Sequence, residues 1–393
     1  MRRHKGGAGK LAVCFALIFG SPLIAFAAVK VMPMLGAAAA KAATFSAGIT
    51  LGGNLPSKTL ESGESVVPES FDLPASNPDE MEKIEDSALL SGGYVGEFMP
   101  SAENEEAQVD DSQTGPKPYP ASLETHSGTI MAMQYGVAEG TQFFSLDGGA
   151  QVRNTTSVPS EQLIAESKLL PEFKIKFNSE PQVLIMHTHT TESYEPYERD
   201  FYDASFNSRT TDESKNVVSV GNKIQEQLSA AGIGVIHDKT IHDYPSYNGS
   251  YDRSAVTVKK ILAQYPSIKI VLDIHRDAIE KEDGTRVAPV VNIDGKNAAQ
   301  VMIISGADNG KLNMPDYMKN FRFACLLQRQ MESDYKGLTR PILFAYRKYN
   351  QDLTTGSILI EVGGHANSYE QAQYTGELIG KSLVNALEKI KED

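Results

Sequence analysis

The sequence of 393 residues contains no tryptophan and only two cysteines, Cys14 and Cys325. Two cysteines cannot build a disulfide-stapled scaffold or a thiolate zinc finger, and without tryptophan any carbohydrate contact must rely on tyrosine, phenylalanine or polar groups. Basic residues are also in deficit, because 37 lysines and arginines face 50 aspartates and glutamates, for a formal net charge of −13. Nucleic-acid binding relies on clustered positive charge, so this composition excludes a nucleic-acid partner.

The composition is otherwise that of a folded protein. Hydrophobic residues make up 41% of the chain and charged residues 22%. Such values are ordinary for a chain that buries a core, so wholesale disorder is excluded. The length allows two or three domains, or one large domain with non-globular segments.

The N-terminus combines a basic tail with an uncharged run. Residues 1–10 carry four lysines and arginines, and residues 11–29 carry no charge. This run just reaches the ~20 residues that cross a bilayer as a helix, and the basic tail before it predicts a cytoplasmic tail with the bulk of the chain outside. Ala25-Phe26-Ala27 resembles a signal-peptide cleavage site, so a cleaved signal is the alternative to a transmembrane anchor. Both interpretations export the rest of the chain.

Residues 30–120 are predicted to be a largely disordered acidic linker. Between Leu55 and Tyr119, fifteen acidic residues face three lysines, and apolar residues are sparse and unpatterned. Such a segment cannot bury enough apolar surface to offset its chain entropy, and its charges repel one another. We therefore expect a spacer that holds a globular domain away from the membrane.

Hydrophobic patterning returns after residue 120. Residues 121–180 predict a small strand-rich lead-in, and residues 181–393 predict a catalytic domain in which short apolar strands alternate with helices. The predicted lead-in strands lie near residues 128–133, 143–144 and 172–177. The predicted helices are 213–231, 252–264, 315–334 and 368–390. This alternation predicts an α/β fold with a mixed or mostly parallel sheet and helices on both faces.

Side chains suited to metal binding or to catalysis follow three of the apolar strands. They are His187, His189 and Glu192 after the first strand, His275 and Arg276 after the third, and Glu361 and His365 at the end of the late strand. Ligands of open α/β sheets bind at the carboxyl ends of strands, so these groups are expected to converge. Two imidazoles and a carboxylate are typical of a hydrolytic zinc site, and a second carboxylate serves as general base and acid.

Each of these residues also has an ordinary structural explanation. A single strand-end histidine is more often a hydrogen-bonded structural residue, but His187 and His189 alternate and on an extended chain would point to the same face. His189-x-x-Glu192 has the spacing of carboxypeptidase-type zinc sites. Glu361 ends an apolar strand, where a carboxylate without a partner is costly to bury. The remaining histidines are expected to be solvated, namely His4, His126, His237 and His242.

Taken together, three blocks resemble the stage II sporulation protein P family of endospore-forming bacteria. The blocks are residues 187–194, 273–277 and 361–367, and the resemblance covers roughly residues 125–390. It implies a fold like that of the zinc-dependent N-acetylmuramoyl-L-alanine amidases. The implied reaction is cleavage of the amide between the lactyl group of N-acetylmuramic acid and L-alanine in peptidoglycan, with an added endopeptidase activity on peptide cross-links.

The same resemblance implies a biological setting. The family acts in septal wall thinning and engulfment during sporulation, with its catalytic domain outside the cytoplasm at the forespore septum. It implies a single-pass membrane protein in a complex with the glycan-cleaving sporulation protein D and the membrane protein M. Two rival interpretations remain: an exported zinc carboxypeptidase or other peptidase, and a non-catalytic wall-binding assembly protein.

The resemblance also implies roles for individual residues. His275 matches the second zinc-binding imidazole and Glu361 the catalytic carboxylate, while Arg276 or His365 would assist zinc in stabilising the oxyanion. For the first imidazole, the position of the ligand in related amidases favours His189 over His187.

The third zinc ligand stays open between two glutamates. Related amidases take it from the start of the following helix, which is Glu213 here, whereas the His-x-x-Glu spacing points to Glu192. The glycine-rich turn of those amidases is replaced by threonines in this sequence, so the resemblance does not define how this turn contacts the substrate.

Overall fold

The computed structural model describes Gly115 and residues 122–392. Its strands are β1 (Gly128–Met133), β2 (Phe143–Ser145), β3 (Gln151–Asn154), β4 (Pro181–Met186), β5 (Phe201–Tyr202), β6 (Gly234–His237), β7 (Ile270–Asp277), β8 (Arg286–Ile293), β9 (Lys296–Ala299), β10 (Val301–Gly306), β11 (Ile342–Ala345) and β12 (Gly356–Gly364). Its helices are α1 (Ser160–Ser167), α2 (Val217–Ala230), α3 (Ser250–Gln264), α4 (Tyr317–Asp334) and α5 (Tyr369–Glu388).

The N-terminal predictions cannot be compared with this structure. The basic tail, the uncharged run at 11–29 and the linker up to residue 120 lie outside the described residues, apart from Gly115. Within residues 122–392, no helix combines the length and the apolar character that a bilayer crossing requires.

The strands form two sheets. The larger has eight strands in the order β2-β3-β11-β10-β12-β7-β4-β6, and the smaller has four in the order β5-β1-β8-β9. In the larger sheet the neighbours β6, β4, β7 and β12 run parallel, whereas β10 pairs with β12 in the antiparallel sense. The prediction of a mixed α/β fold is confirmed.

Helices cover both faces of the larger sheet, and the alternation along β4 shows how. Val183 and Ile185 belong to the main core, together with residues of α2, α4 and α5. Leu184 and Met186 point the other way and pack with Val258 of α3. Buried strands of a parallel sheet are apolar on both sides, which is why these runs show no polar alternation in the sequence.

The predicted element boundaries are wrong where side chains serve as caps or where extended chain has no partner. Helix α2 begins at Val217 rather than 213, because the Asn216 side chain accepts the Val218 N–H as an N-cap. The predicted strand at 172–177 is not formed, and only Ile175 makes a bridge, to Lys391. Helix α1 was not predicted, and β2 and β3 of the predicted lead-in extend the larger sheet.

Helices α2 and α5 approach closely at two glycines of α5. A Cβ at Gly376 would lie 2.8 Å from the Val220 carbonyl oxygen, and one at Gly380 would lie 2.8 Å from the Gln227 side chain. These glycines let the two helix backbones pack without an intervening side chain. The close approach of the two helices explains why α5 has glycine at these positions, although alanine is the better helix former.

We expect Gly376→Ala to destabilise the protein although it raises helix propensity. The added methyl group would force the two helices apart, which by analogy with other overpacked cores costs about 1–3 kcal/mol. Urea or thermal unfolding measures the change. Gly136→Ala is the matched control, because nothing lies within 4 Å of a Cβ there. Equal stability of the two variants would contradict the close packing of α2 and α5.

Candidate active site

The three strand ends that carry the predicted residues are neighbours in the larger sheet. Strands β4, β7 and β12 run parallel, with Met186 opposite Asp273 and His275 opposite Glu361. Their carboxyl ends therefore meet at one edge of the sheet. Ile274 and Ile360 point into the main core, so the alternating neighbours His275 and Glu361 point to the opposite face, which α3 covers.

The turn after β4 brings a second histidine and a glutamate to this edge. Asp273 holds the turn by accepting hydrogen bonds from the Thr188 N–H (2.8 Å) and the Thr188 hydroxyl (2.7 Å). The His189 ring lies perpendicular to the His275 ring, with centroids 5.2 Å apart. Glu192 Oε2 lies 3.5 Å from His275 Nδ1 and accepts the Arg276 N–H at 3.0 Å.

His275 lies between two carboxylates. Its Nε2 is 2.9 Å from Asp273 Oδ1, while its Nδ1 faces Glu192. Burial opposes a charge on this ring, but the two carboxylates outweigh burial and hold the pKa of His275 well above its usual value. The pKa values of Glu192 and Asp273 are lowered, since their contacts with His275 outweigh the effect of burial. The site therefore favours the positively charged form of the His275 ring.

Glu361 lies beside His275, but its pKa shifts in the opposite direction from those of Glu192 and Asp273. Its Oε2 is shielded from solvent and accepts no hydrogen bond. Burial, reinforced by the negative charge of Asp277, raises the pKa of Glu361 well above its usual value. Asp277 itself pairs with the buried Arg340 at 2.9 Å. A carboxyl group with a raised pKa is suited to accept and return a proton near neutral pH.

Tyrosines form one side of the site. Tyr247 stacks on the His189 ring at 4.4 Å, and Tyr251 meets the same ring edge-on at 5.6 Å. Tyr251 also stacks on Tyr349 at 4.9 Å. Burial lowers the pKa of His189 to about 3, so this imidazole is neutral at physiological pH.

His187, a candidate metal ligand, has both ring nitrogens occupied by protein. Nδ1 lies 3.0 Å from the Ile274 carbonyl oxygen, and Nε2 lies 2.8 Å from His237 Nε2. The expectation that His187 and His189 share a face is wrong, because β4 ends at Met186 and the following residues turn. His187 consequently points towards α2, where Gly221 leaves space for its ring.

Three further expectations are corrected. Glu213 does not lie at the start of a helix; it is exposed and pairs with Lys239 at 3.2 Å. His237 and His242 are not solvated: His237 contacts His187, and the His242 ring lies 3.0 Å from the His187 carbonyl oxygen.

Arg276 and His365 differ in whether their side-chain nitrogens already make hydrogen bonds within the protein. The Arg276 side chain donates to the backbone carbonyls of Ser193, Asp277 and Ser208, so it braces the loops around the site. His365 follows the irregular end of β12 and donates its N–H to the Asp277 carbonyl. Its Nδ1 is buried without a hydrogen bond, and burial with the nearby arginines lowers the pKa of His365 well below its usual value.

Sequence reasoning missed several residues of the site. Asp273 could have been found, because two residues before His275 on a strand means the same face. Tyr247, Tyr251 and Tyr349 gave no signal, since they reach the site from the loop before α3, from α3 itself and from the loop after β11.

The donor types at this edge are those that bind zinc, although within residues 122–392 no three such side chains are grouped in a way that could hold a metal ion. His189, His275 and Glu192 supply two imidazoles and a carboxylate, and Asp273 orients His275 as outer-shell carboxylates do. The 3.5 Å between His275 Nδ1 and Glu192 Oε2 is near the roughly 3.3 Å that separates two ligands of a tetrahedral zinc with bonds of ~2.05 Å. A metal ion would replace the proton on Nδ1.

Solved structures that match part of this chain at low similarity include two amidases. The CwlD amidase from Clostridioides difficile, in complex with the GerS lipoprotein, is 10% identical with a TM-score of 0.34, covering 53% of this chain and 99% of its own. An N-acetylmuramoyl-L-alanine amidase from Clostridium difficile 630 is 16% identical with a TM-score of 0.33, covering 54% of this chain and 97% of its own.

A curated relative and a family model match the sequence itself. Stage II sporulation protein P of Bacillus subtilis (strain 168) is 33% identical over 204 residues, which are 49% of this chain and 47% of that protein. The match thus spans about half the length of the relative. The family model for stage II sporulation protein P matches residues 99–383, which include every residue of the candidate site. The chain belongs to the stage II sporulation protein P family.

Proposed function

We propose that this protein is a zinc-dependent peptidoglycan hydrolase that cleaves the N-acetylmuramoyl-L-alanine amide, and peptide cross-links in addition. One observation carries the proposal: His189, Glu192, His275 and Glu361, from three separate stretches of chain, lie together at one edge of the sheet. Membership in the stage II sporulation protein P family supports a role in wall remodelling during sporulation.

In the proposed mechanism, His189, His275 and Glu192 would hold zinc. Bound there, zinc supplies Lewis-acid chemistry that polarises the scissile carbonyl and makes water a better nucleophile at neutral pH. Asp273 Oδ1 lies 2.9 Å from His275 Nε2, so its negative charge would favour the proton on that nitrogen and leave Nδ1 for the metal. The hydrogen bond from the Arg276 N–H fixes the Glu192 carboxylate in the same way.

Glu361 carries the proton transfers. It takes a proton from the attacking water and delivers it to the leaving amine when the carbon–nitrogen bond breaks. Its shielded Oε2 and raised pKa suit both steps. We favour His365 over Arg276 as the oxyanion donor, because all three guanidinium nitrogens of Arg276 already donate to backbone carbonyls.

Replacing Asp273 by asparagine should weaken zinc binding. The amide lacks the negative charge that lies 2.9 Å from His275 Nε2, and its single oxygen cannot accept from both donors of Thr188 as the two carboxylate oxygens do. Outer-shell partners of this kind are worth roughly 10–100-fold in metal affinity. Competition with a chromophoric chelator measures the change, with Asp283→Asn, in the exposed turn before β8, as control. Unchanged affinity would remove Asp273 from the proposed site.

The proposed location is outside the cytoplasm, held by a membrane anchor at residues 11–29 or reached after cleavage of a signal. The proposed partners are peptidoglycan and the sporulation proteins D and M. A chain with a net charge of −13 gains nothing from its overall charge at an anionic wall, so local contacts must bind the substrate. Tyr247 and Tyr251 are suited to such contacts in a chain without tryptophan.

Analysis of wall digests tests the proposed function. The purified protein should release stem peptides with a free L-alanine amino group and leave glycan strands with free lactyl carboxylates. Cross-link cleavage would add peptides with new amino and carboxyl ends inside former bridges. Release of single terminal amino acids alone would indicate a carboxypeptidase, and no soluble product would indicate a non-catalytic wall-binding protein.

A further inference from the structure

Two histidines that the proposed mechanism does not use form a hydrogen-bonded chain across three strands. His237 ends β6, His187 follows β4, and Ile274 lies in β7. His237 Nε2 lies 2.8 Å from His187 Nε2, and His187 Nδ1 lies 3.0 Å from the Ile274 carbonyl oxygen. These hydrogen bonds run along the edge of the sheet where the candidate site lies.

The partners determine which nitrogens carry protons. A carbonyl oxygen only accepts, so His187 Nδ1 carries a proton and donates it to Ile274. In a neutral ring, His187 Nε2 is then an acceptor, which makes His237 Nε2 the donor. Only one proton can lie between the two Nε2 atoms, which are 2.8 Å apart.

His187 links β4 to β7 just beyond the point where backbone pairing between these strands stops. Strands β4 and β7 pair up to Met186 and Asp273, after which the β4 chain leaves the sheet to form the turn that carries His189 and Glu192. Beyond that point the His187 side chain, rather than backbone, binds the carbonyl directly before His275. The His187 carbonyl in turn accepts from the Thr190 hydroxyl at 3.0 Å, inside the same turn.

Helix α2 is shaped to accommodate this pair. Gly221 packs against both rings, and a Cβ there would lie 2.5 Å from His237 Nε2 and 3.1 Å from His187 Cε1. Glycine within a helix costs about 1 kcal/mol relative to alanine. The glycine is needed here because any side chain would displace the two imidazoles.

We propose that His187 and His237 are a positioning pair that sets the spacing between the His189–Glu192 turn and His275, and thereby the affinity of the site for zinc. This inference rests on the proposed zinc site. His237 does not contact the metal-binding groups; it acts through His187, whose ring it fixes in one orientation and one tautomer.

The test compares three variants of the full-length protein. His237→Leu removes the donor and should weaken zinc binding roughly 10–100-fold, as loss of other outer-shell partners does. His237→Gln keeps an N–H donor near the position of Nε2 and should bind zinc nearly as tightly as the unmodified protein. Gly221→Ala should behave like His237→Leu, because its methyl group displaces the pair without removing either imidazole.

Two readouts distinguish positioning from simple loss of stability. Chelator competition measures zinc affinity at a temperature where circular dichroism shows each variant folded. Nitrogen-15 NMR of the histidine rings, recorded without metal, reports the His187 Nδ1 proton, which should be retained in His237→Gln and lost or exchanging in His237→Leu. His126→Leu is the control, because His126 stacks on Phe201 away from the pair.

The outcomes separate this inference from the proposed function. If the unmodified protein binds zinc and His237→Leu binds it equally tightly, the positioning role is wrong and the proposed function stands. Failure of His237→Gln to restore affinity would also overturn it, since that variant keeps the donor. An unmodified protein that binds no zinc would overturn both proposals.

Discussion

Glu361→Gln is expected to abolish wall hydrolysis while leaving zinc binding intact. Glutamine is nearly isosteric with glutamate but cannot take a proton from water or return it to the leaving amine. Loss of a positioned general base typically lowers kcat by about 10²–10⁴-fold. The effect should fall on kcat rather than KM, because in the proposed mechanism Glu361 acts on the reacting atoms. Release of soluble muropeptides from purified peptidoglycan measures the change.

The control for this variant is Glu280→Gln, at the turn between β7 and β8. Its carboxylate is exposed and lies 3.6 Å from Arg286, so the variant makes the same chemical change away from the site. Zinc content measured alongside activity shows whether the site itself survives. Hydrolysis by Glu361→Gln at the rate of the unmodified protein would rule out Glu361 as the general base.

Removal of zinc is expected to have an effect of similar size. Chelation should abolish activity, and stoichiometric zinc should restore it, because in the proposed mechanism zinc supplies the polarisation that the side chains alone lack. His275→Ala should not recover on adding zinc at the same concentration. Loss of a coordinating imidazole must weaken zinc binding more than the roughly 10–100-fold that outer-shell losses cause.

His126→Ala provides the comparison for His275→Ala. This variant also removes an imidazole. His126 lies in the segment before β1, where its ring stacks on Phe201. This variant should lose activity on chelation and regain it fully with zinc. Full activity of the unmodified protein in excess chelator, or recovery of His275→Ala with stoichiometric zinc, would contradict the assignment of His275.

The fold class was predictable from the sequence because buried strands and amphipathic helices leave a strong periodic signal. Apolar runs such as Val183–Met186 lie where the structure has strands, and the spacing of Val217, Val220, Ile224 and Leu228 marks α2. Boundaries were less predictable. They depend on caps such as Asn216 and on whether an extended segment such as 172–177 finds a partner strand, and neither is a local property of hydrophobicity.

The candidate site was partly predictable for a related reason. In a parallel sheet the strands share a direction, so residues at their carboxyl ends share an edge, and the grouping of His275 with Glu361 follows from the sequence. The choice between His187 and His189 does not follow. It depends on where β4 stops being extended, because one turn after Met186 sends His187 towards α2 and His189 towards His275.

The sequence by itself determined which residue types stand at the strand ends and that the sheet would bring them to one edge. Only the tertiary structure decided which nitrogens and oxygens face one another: Asp273 and Glu192 on either side of His275, tyrosines against His189, and a second histidine holding His187. The reason is physical. Strand periodicity is a local property of the chain, whereas hydrogen-bond partners are fixed by the register and spacing of segments far apart in it.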